Sequence, residues 1–164
     1  MIAICEIFAK SNNYWLSINY VNTTLISTNW KKLADFYINT FDCKIIPPIR
    51  NQYGNWLDKG TGLKNAKLKG AHLQLPGYDS NGPTLEIYQY DTVNNQEPLL
   101  PNTRGFGHIA FEVEDVEYVV ENLKKNGGKL FGEITKRRIE GVGEITFVYA
   151  RDPDGNLIEI QNWK

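Results

Sequence analysis

An α+β fold made of two tandem βαβββ modules is predicted by three features of this 164-residue sequence. The first is an internal repeat. INYVNTTLISTNWKKLADFYINTFDCKII (18–46) resembles GFGHIAFEVEDVEYVVENLKKNGGKLF (105–131), and sliding one onto the other so that Asn22 meets His108 also sets Asn29 on Asp115. The second is that each copy is followed, far downstream, by an alternating segment with a glutamate at its centre: TLEIYQY around Glu86 and NLIEIQNW around Glu159. The third is that within each copy a short branched segment gives way to apolar residues three and four apart, as when a strand feeds a helix that packs on its sheet.

The elements follow in order. VNTTLIS is rich in branched residues and short enough for a strand. Thr28 or Asn29 then caps a helix, its side-chain oxygen accepting from the first unpaired amides. Trp30, Leu33, Ala34, Tyr37 and Phe41 form the apolar stripe of that helix. In CKIIPPI, two prolines suit a sheet edge or a strand end, and a Gly/Asn-rich loop is expected through Gly62. Strands LKGAHLQL and PTLEIYQY are separated by the turn-forming GYDSNGP.

Residues 91–104 (DTVNNQEPLLPNTR) are polar, carry two prolines and show no period, which marks a linker. Asp115 caps the second helix, 116–126, with Val116, Val119, Val120 and Leu123 inward and Gly127 or Gly128 as its stop. Two more strands then lead to ArgAspProAspGlyAsn (151–156), a turn by its composition. The organisation is therefore module one 18–90, linker 91–104 and module two 105–164. Residues 1–17 match neither module and form an N-terminal extension, either an edge strand or an arm.

Composition excludes some functions. With 18 basic and 19 acidic residues and a net charge of −1, neither nucleic acid nor an anionic membrane is an expected partner. The basic run Lys136–Arg138 is a solvated strand edge or, if functional, a site for a carboxylate, a phosphate or a coenzyme A tail. The two cysteines, Cys5 and Cys43, lack metal-type spacing and fit a reducing cytoplasm. The opening MIAICEIFAK reads as no secretory signal, and no apolar run nears the ~20 residues of a membrane span. A soluble cytoplasmic protein is expected.

Strand alternation sorts the polar side chains by face. Ile109, Phe111 and Val113 lie under the helix, as do Leu85, Ile87, Ile158 and Ile160. His108, Glu86, Tyr88, Tyr90, Glu159 and Gln161 then share the open faces. One imidazole and two carboxylates suit Mn(II), Fe(II), Co(II), Ni(II) or Zn(II), with water completing the shell. Two neighbouring substrate oxygens can replace such water, and one glutamate can leave to move a proton. His72 shares its face with Gln74 and is a candidate substituting ligand or acid/base. Tyr53, Trp56, Tyr88, Tyr90, Gln74 and Tyr149 are candidates for shaping a cavity. Arg104 and Arg138 are the cations to test against an acidic substrate.

LADFYINTFDCKI, GFGHIAFEVEDVEYVVENLKKNGGK and YARDPDGNLIEI resemble the vicinal oxygen chelate superfamily over about residues 18–164. That family includes glyoxalase I, methylmalonyl-CoA epimerase, extradiol dioxygenases and the fosfomycin and bleomycin resistance proteins. The resemblance is to its glyoxalase and epimerase branch. It implies an open, curved, barrel-like sheet around a central cavity, with helices outside and one divalent metal held from the first and fourth strand of each module.

Carried onto this chain, the implied ligands are His108, Glu159, Glu86 and, where glyoxalase I has His or Gln, Asn22. Asn is a shorter and weaker donor and would hold the metal through water. Oxygenase chemistry is disfavoured, because the second iron-binding His of the dioxygenases falls on Asn22. The implied function is a glyoxalase-like divalent-metal enzyme acting by proton-transfer isomerisation or lyase chemistry on a small substrate with vicinal oxygens. Glu159 or Glu86 would be the base, in a homodimer. The alternative is a metal-free small-molecule binding or sequestering protein of the resistance type.

Overall fold

The computed structural model describes residues 18–94 and 97–164, so the proposed N-terminal extension, 1–17, lies outside the described residues. Module one runs β1 (Asn22–Ile26), α1 (Trp30–Phe41), β2 (Lys44–Tyr53), α2 (Asn55–Thr61), β3 (Lys67–Gln74) and β4 (Thr84–Tyr90). Module two runs β5 (Ile109–Glu112), α3 (Val116–Lys125), β6 (Lys129–Leu130), β7 (Thr135–Ile139), β8 (Gly143–Arg151) and β9 (Leu157–Trp163). Sheet one has the order β1-β4-β3-β2; sheet two has β5-β9-β8-β6, with β7 also paired to β8. In each module the first strand is parallel to the last, β1 to β4 and β5 to β9, and the other pairings are antiparallel. Among the described residues this is the tandem α+β plan, with the two sheets separate and no barrel closed within the chain.

Local chemistry accounts for the helices. The Asn29 side chain accepts from the amide of Lys32, and Asp115 accepts from the amide of Tyr118, so the two aligned residues are both N-caps. α1 ends at Asp42 in the left-handed conformation, and α3 at Asn126 followed by Gly127 at φ 93°. Leu33, Ala34, Phe36, Tyr37 and Phe41 of α1 share one core with Val116, Val120 and Leu123 of α3 and with Leu85, Ile87, Ile158 and Ile160 of the sheets. Phe41 stacks on Phe111 of β5, with ring centres 4.1 Å apart. Apolar burial thus crosses the module boundary and joins the halves into one unit.

A second link is polar. Tyr37 Oη donates to Asp152 Oδ2 at 3.0 Å, across 115 positions of chain. Asp152 also accepts from the backbone amides of Asp154 and Asn156 and from Asn156 Nδ2. The 152–156 segment is therefore a turn, as expected, and also an anchor for α1. Burial raises the Asp152 carboxyl above its ordinary value, while these donors act against that rise.

Three expectations are corrected. The stretch expected as a loop through Gly62 continues β2 to Tyr53 and then forms α2, which buries Leu57. Gly54 (φ 105°) and Gly62 (φ 74°) bound that helix rather than mark an open loop, and Asp58 accepts from the amides of Asn65 and Ala66. Module two has one strand more than the βαβββ plan, β7, and this exposed strand carries the Lys136–Arg138 run at the solvated edge expected of it. His108 immediately precedes β5 instead of lying within it.

Candidate functional site

Each sheet displays one histidine–glutamate pair. In module two, His108 Nε2 stands 3.0 Å from Glu159 Oε2. The imidazole meets Tyr149 edge-on, with ring centres 5.1 Å apart. Tyr149 lies opposite Glu159 across the β8–β9 ladder. Burial first, and then the Glu159 charge, raise the Tyr149 hydroxyl above its ordinary value.

Module one solves the same problem differently. His72 lies opposite Glu86 across the β3–β4 ladder, with Nε2 3.3 Å from Glu86 Oε1. The same nitrogen is 2.6 Å from Tyr88 Oη, and Nδ1 is 3.3 Å from Arg50 Nη2. Thr24 of β1 donates to Glu86 Oε2 at 3.4 Å. Burial lowers the His72 pKa below its ordinary value; the Glu86 charge opposes that shift and the Arg50 charge adds to it. Burial, reinforced by Glu86, pushes the Tyr88 hydroxyl up to about 12.

Register shows how the repeat maps onto these pairs. Thr24 pairs with Glu86, and Ala110 pairs with Glu159, so Asn22 and His108 each stand two residues before the glutamate's partner. The two are equivalent positions. Asn22 Nδ2 donates to Thr24 Oγ1 at 3.0 Å, and through Thr24 it reaches the Glu86 cluster. A cavity of about 820 Å³ between the β1 edge and the entry to β5 is lined by both Asn22 and His108, with Tyr20, Phe106 and Asp154. Neither Glu86 nor Glu159 lines it.

The remaining candidates lie apart. Gln74 donates to the Tyr78 carbonyl and holds the β3–β4 turn. Arg104 is exposed in the linker and Arg138 is exposed on β7. Tyr53 and Trp56 are exposed beside α2, whereas Tyr88 and Tyr149 flank the two pairs. Arg50 escaped the sequence reading because β2 shifts register between Ile46 and Arg50, and alternation cannot be carried through such an irregularity.

The donors suit a divalent metal. Nitrogen and oxygen 3.0 Å apart, as in His108 and Glu159, have the spacing of neighbouring ligands in an octahedral shell with bonds of about 2.1 Å. Among the described residues, no three His, Cys, Asp or Glu side chains of one chain gather as metal ligands.

The family model of the Glyoxalase/Bleomycin resistance protein/Dioxygenase superfamily matches residues 17–160, and the chain belongs to that superfamily. A lactoylglutathione lyase of Neisseria meningitidis serogroup A is 29% identical over 142 residues, covering 85% of this chain and 86% of that protein. A lactoylglutathione lyase of Arabidopsis thaliana and glyoxalase I of Saccharomyces cerevisiae are each 36% identical over shorter stretches. Those matches span only 19% and 18% of the relatives' lengths. Among solved structures, a glyoxalase family protein from Bacillus cereus superposes with a TM-score of 0.75 at 22% identity, covering 94% of this chain and 99% of that one. Among the described residues, no helix is long and apolar enough to cross a membrane.

Proposed function

We propose that the protein is a glyoxalase-like divalent-metal enzyme that moves a proton on a small substrate with vicinal oxygens, in an isomerase or lyase reaction. In this reading it works as a homodimer. The His108–Glu159 face of one subunit meets the Glu86 face of the other, with Asn22 placed to hold a water. The observation that carries this is that each open sheet face carries one glutamate beside a histidine, Glu159 at His108 and Glu86 at His72, with His108, Glu159 and Glu86 as the ligands of a site shared between two subunits. The likeness to lactoylglutathione lyases supports the same reaction class.

A bound divalent ion would polarise the substrate's adjacent oxygens and stabilise charge as it develops. The chain's own residues do the rest. Glu159, contacted by His108 and Tyr149, moves the proton next to the chelated carbonyl. Glu86, contacted by Thr24, Tyr88 and His72, keeps its orientation.

Mixing subunits tests the shared site. Glu86→Ala and His108→Ala proteins each bind little Zn(II) or Ni(II) alone. Co-refolded, they form hybrid dimers in which one of the two sites is intact, giving about a quarter of the wild-type metal. No recovery beyond the sum of the separate variants would place each site within one chain. The second reading, a metal-free binding protein, draws on Asn22 at a ligand position. Wild type that binds no Mn(II), Co(II), Ni(II) or Zn(II) by calorimetry would favour it.

A further inference from the structure

We propose that Arg50 holds His72 in the tautomer protonated on Nε2, which makes His72 a hydrogen-bond donor that positions Glu86 and not a metal ligand. The role of Glu86 rests on the function proposed above; the tautomer does not.

The assignment follows from donor and acceptor inventories. A guanidinium has only N–H donors. The ring nitrogen that faces Arg50 Nη2 at 3.3 Å, Nδ1, must therefore present its lone pair. A neutral imidazole then carries its proton on Nε2, where two acceptors wait: Tyr88 Oη at 2.6 Å and Glu86 Oε1 at 3.3 Å. Tyr88 accepts from His72. The donors run one way, from Arg50 into His72 Nδ1 and from His72 Nε2 to the carboxylate and the Tyr88 hydroxyl. A protonated Nε2 has no lone pair left for a metal.

The backbone is shaped around this chain of bonds. The shift in β2 sets Arg50 opposite Gly70, where regular pairing from Ile46 and His72 would not bring it. Gly70 in turn lies opposite Tyr88. A Cβ at Gly70 would fall 2.0 Å from the Ile87 carbonyl oxygen and 2.5 Å from Tyr88 Cδ1, so only glycine leaves room for that ring. Arg50 also donates to the Pro48 carbonyl, which fixes the far side of the fork. In module two, Tyr149 occupies the place of His72 against the glutamate.

Nitrogen-15 NMR of the metal-free protein at about pH 8, where an ordinary imidazole is neutral, reads the tautomer directly. The sequence has two histidines, so His72→Gln and His108→Gln assign the signals. The expected wild-type spectrum shows His72 unprotonated on Nδ1 and protonated on Nε2, and Arg50→Met gives a mixture. Adding Zn(II) should move the His108 nitrogens and leave those of His72 in place.

Calorimetry with Zn(II) should show about tenfold weaker binding for His72→Ala and Arg50→Met, the usual effect of losing a group that orients a ligand. His72→Gln, whose amide still donates, should stay near wild type. A proton on Nδ1 in the wild type, or a His72 nitrogen that shifts with Zn(II) as a ligand does, would overturn the proposal even if Arg50→Met does not fold. Wild type that binds no Zn(II) would instead sink the metal reading, and the metal-free spectrum would still decide the tautomer.

Discussion

The two modules share one backbone plan but put their histidine on opposite flanks of the glutamate. In module two, His108 arrives from the entry to β5 and is one-third exposed beside Tyr149. In module one the equivalent position is Asn22, and the imidazole comes from β3, enclosed by Arg50 and Tyr88. The strand plan dictates that a residue at the centre of the last strand points to the open face. It does not dictate which neighbour completes the pair. One duplicated scaffold thus sets His108 against Glu159, and both His72 and Thr24 against Glu86.

The helices differ in the same spirit. α1 runs from Trp30 to Phe41 and places Phe41 on Phe111 and Tyr37 on Asp152, both in module two. α3 is shorter and contributes aliphatic side chains. Module one's helix therefore carries the bonds that join the halves.

The largest expected effect tests that joining. Phe41→Ala should cost about 3–5 kcal/mol, the range for emptying a core aromatic site. It should lower a single urea transition followed by both far-UV circular dichroism and tryptophan fluorescence. Separate transitions for the two probes would make the modules independent.

Next comes the contrast between the glutamates. Glu159→Gln should slow deuterium exchange next to the substrate carbonyl about 100-fold or more, near 2.7 kcal/mol. Hydroxy-ketones and acyl thioesters would form the panel. Glu86→Gln should act mainly through metal affinity, read by calorimetry. Equal exchange in wild type and Glu159→Gln would move the base to Glu86 and reverse the contrast.

Tyr37→Phe should lose about 2 kcal/mol, because the hydroxyl bonds a buried carboxylate. The sign with pH is specific. Burial raises the Asp152 pKa, so that part of its contribution is full below the unfolded value and fades as pH rises through the folded one. The Tyr37 bond works the other way, favouring the ionised form. The loss in Tyr37→Phe should accordingly be larger at about pH 7 than at about pH 3 when both proteins are melted side by side.

Asn22→His sharpens the comparison by giving module one the histidine position of module two. Metal binding should tighten about tenfold, near 1.4 kcal/mol, since imidazole is a better donor than an amide. Unchanged affinity in calorimetry would remove Asn22 from the site.

The smallest effect concerns Thr40, aligned with Asn126 in the repeat. Asn126 Nδ2 bonds the Asn122 carbonyl, whereas buried Thr40 Oγ1 has no partner among the described residues. Thr40→Val, of similar shape, should stabilise by about 0.5–1 kcal/mol in thermal melts. A loss of that size would reveal a partner, such as water, for the hydroxyl.

What could be read from the sequence alone was set by neighbours along the chain. Asn29 and Asp115 cap helices because a short side chain reaches an amide three residues on. Leu85, Ile87, Ile158 and Ile160 lie under the helices, and Glu86 and Glu159 face away, because a strand alternates with period two. Tertiary structure alone decided the rest. Arg50 meets His72 only through a register shift in β2, and Tyr37 meets Asp152 across more than a hundred residues. His72 pairs with Glu86 because β3 and β4 align at that register. Caps and alternation depend on bonds a few residues long, whereas these contacts depend on how strands and helices slide against one another before they lock, which no local pattern encodes.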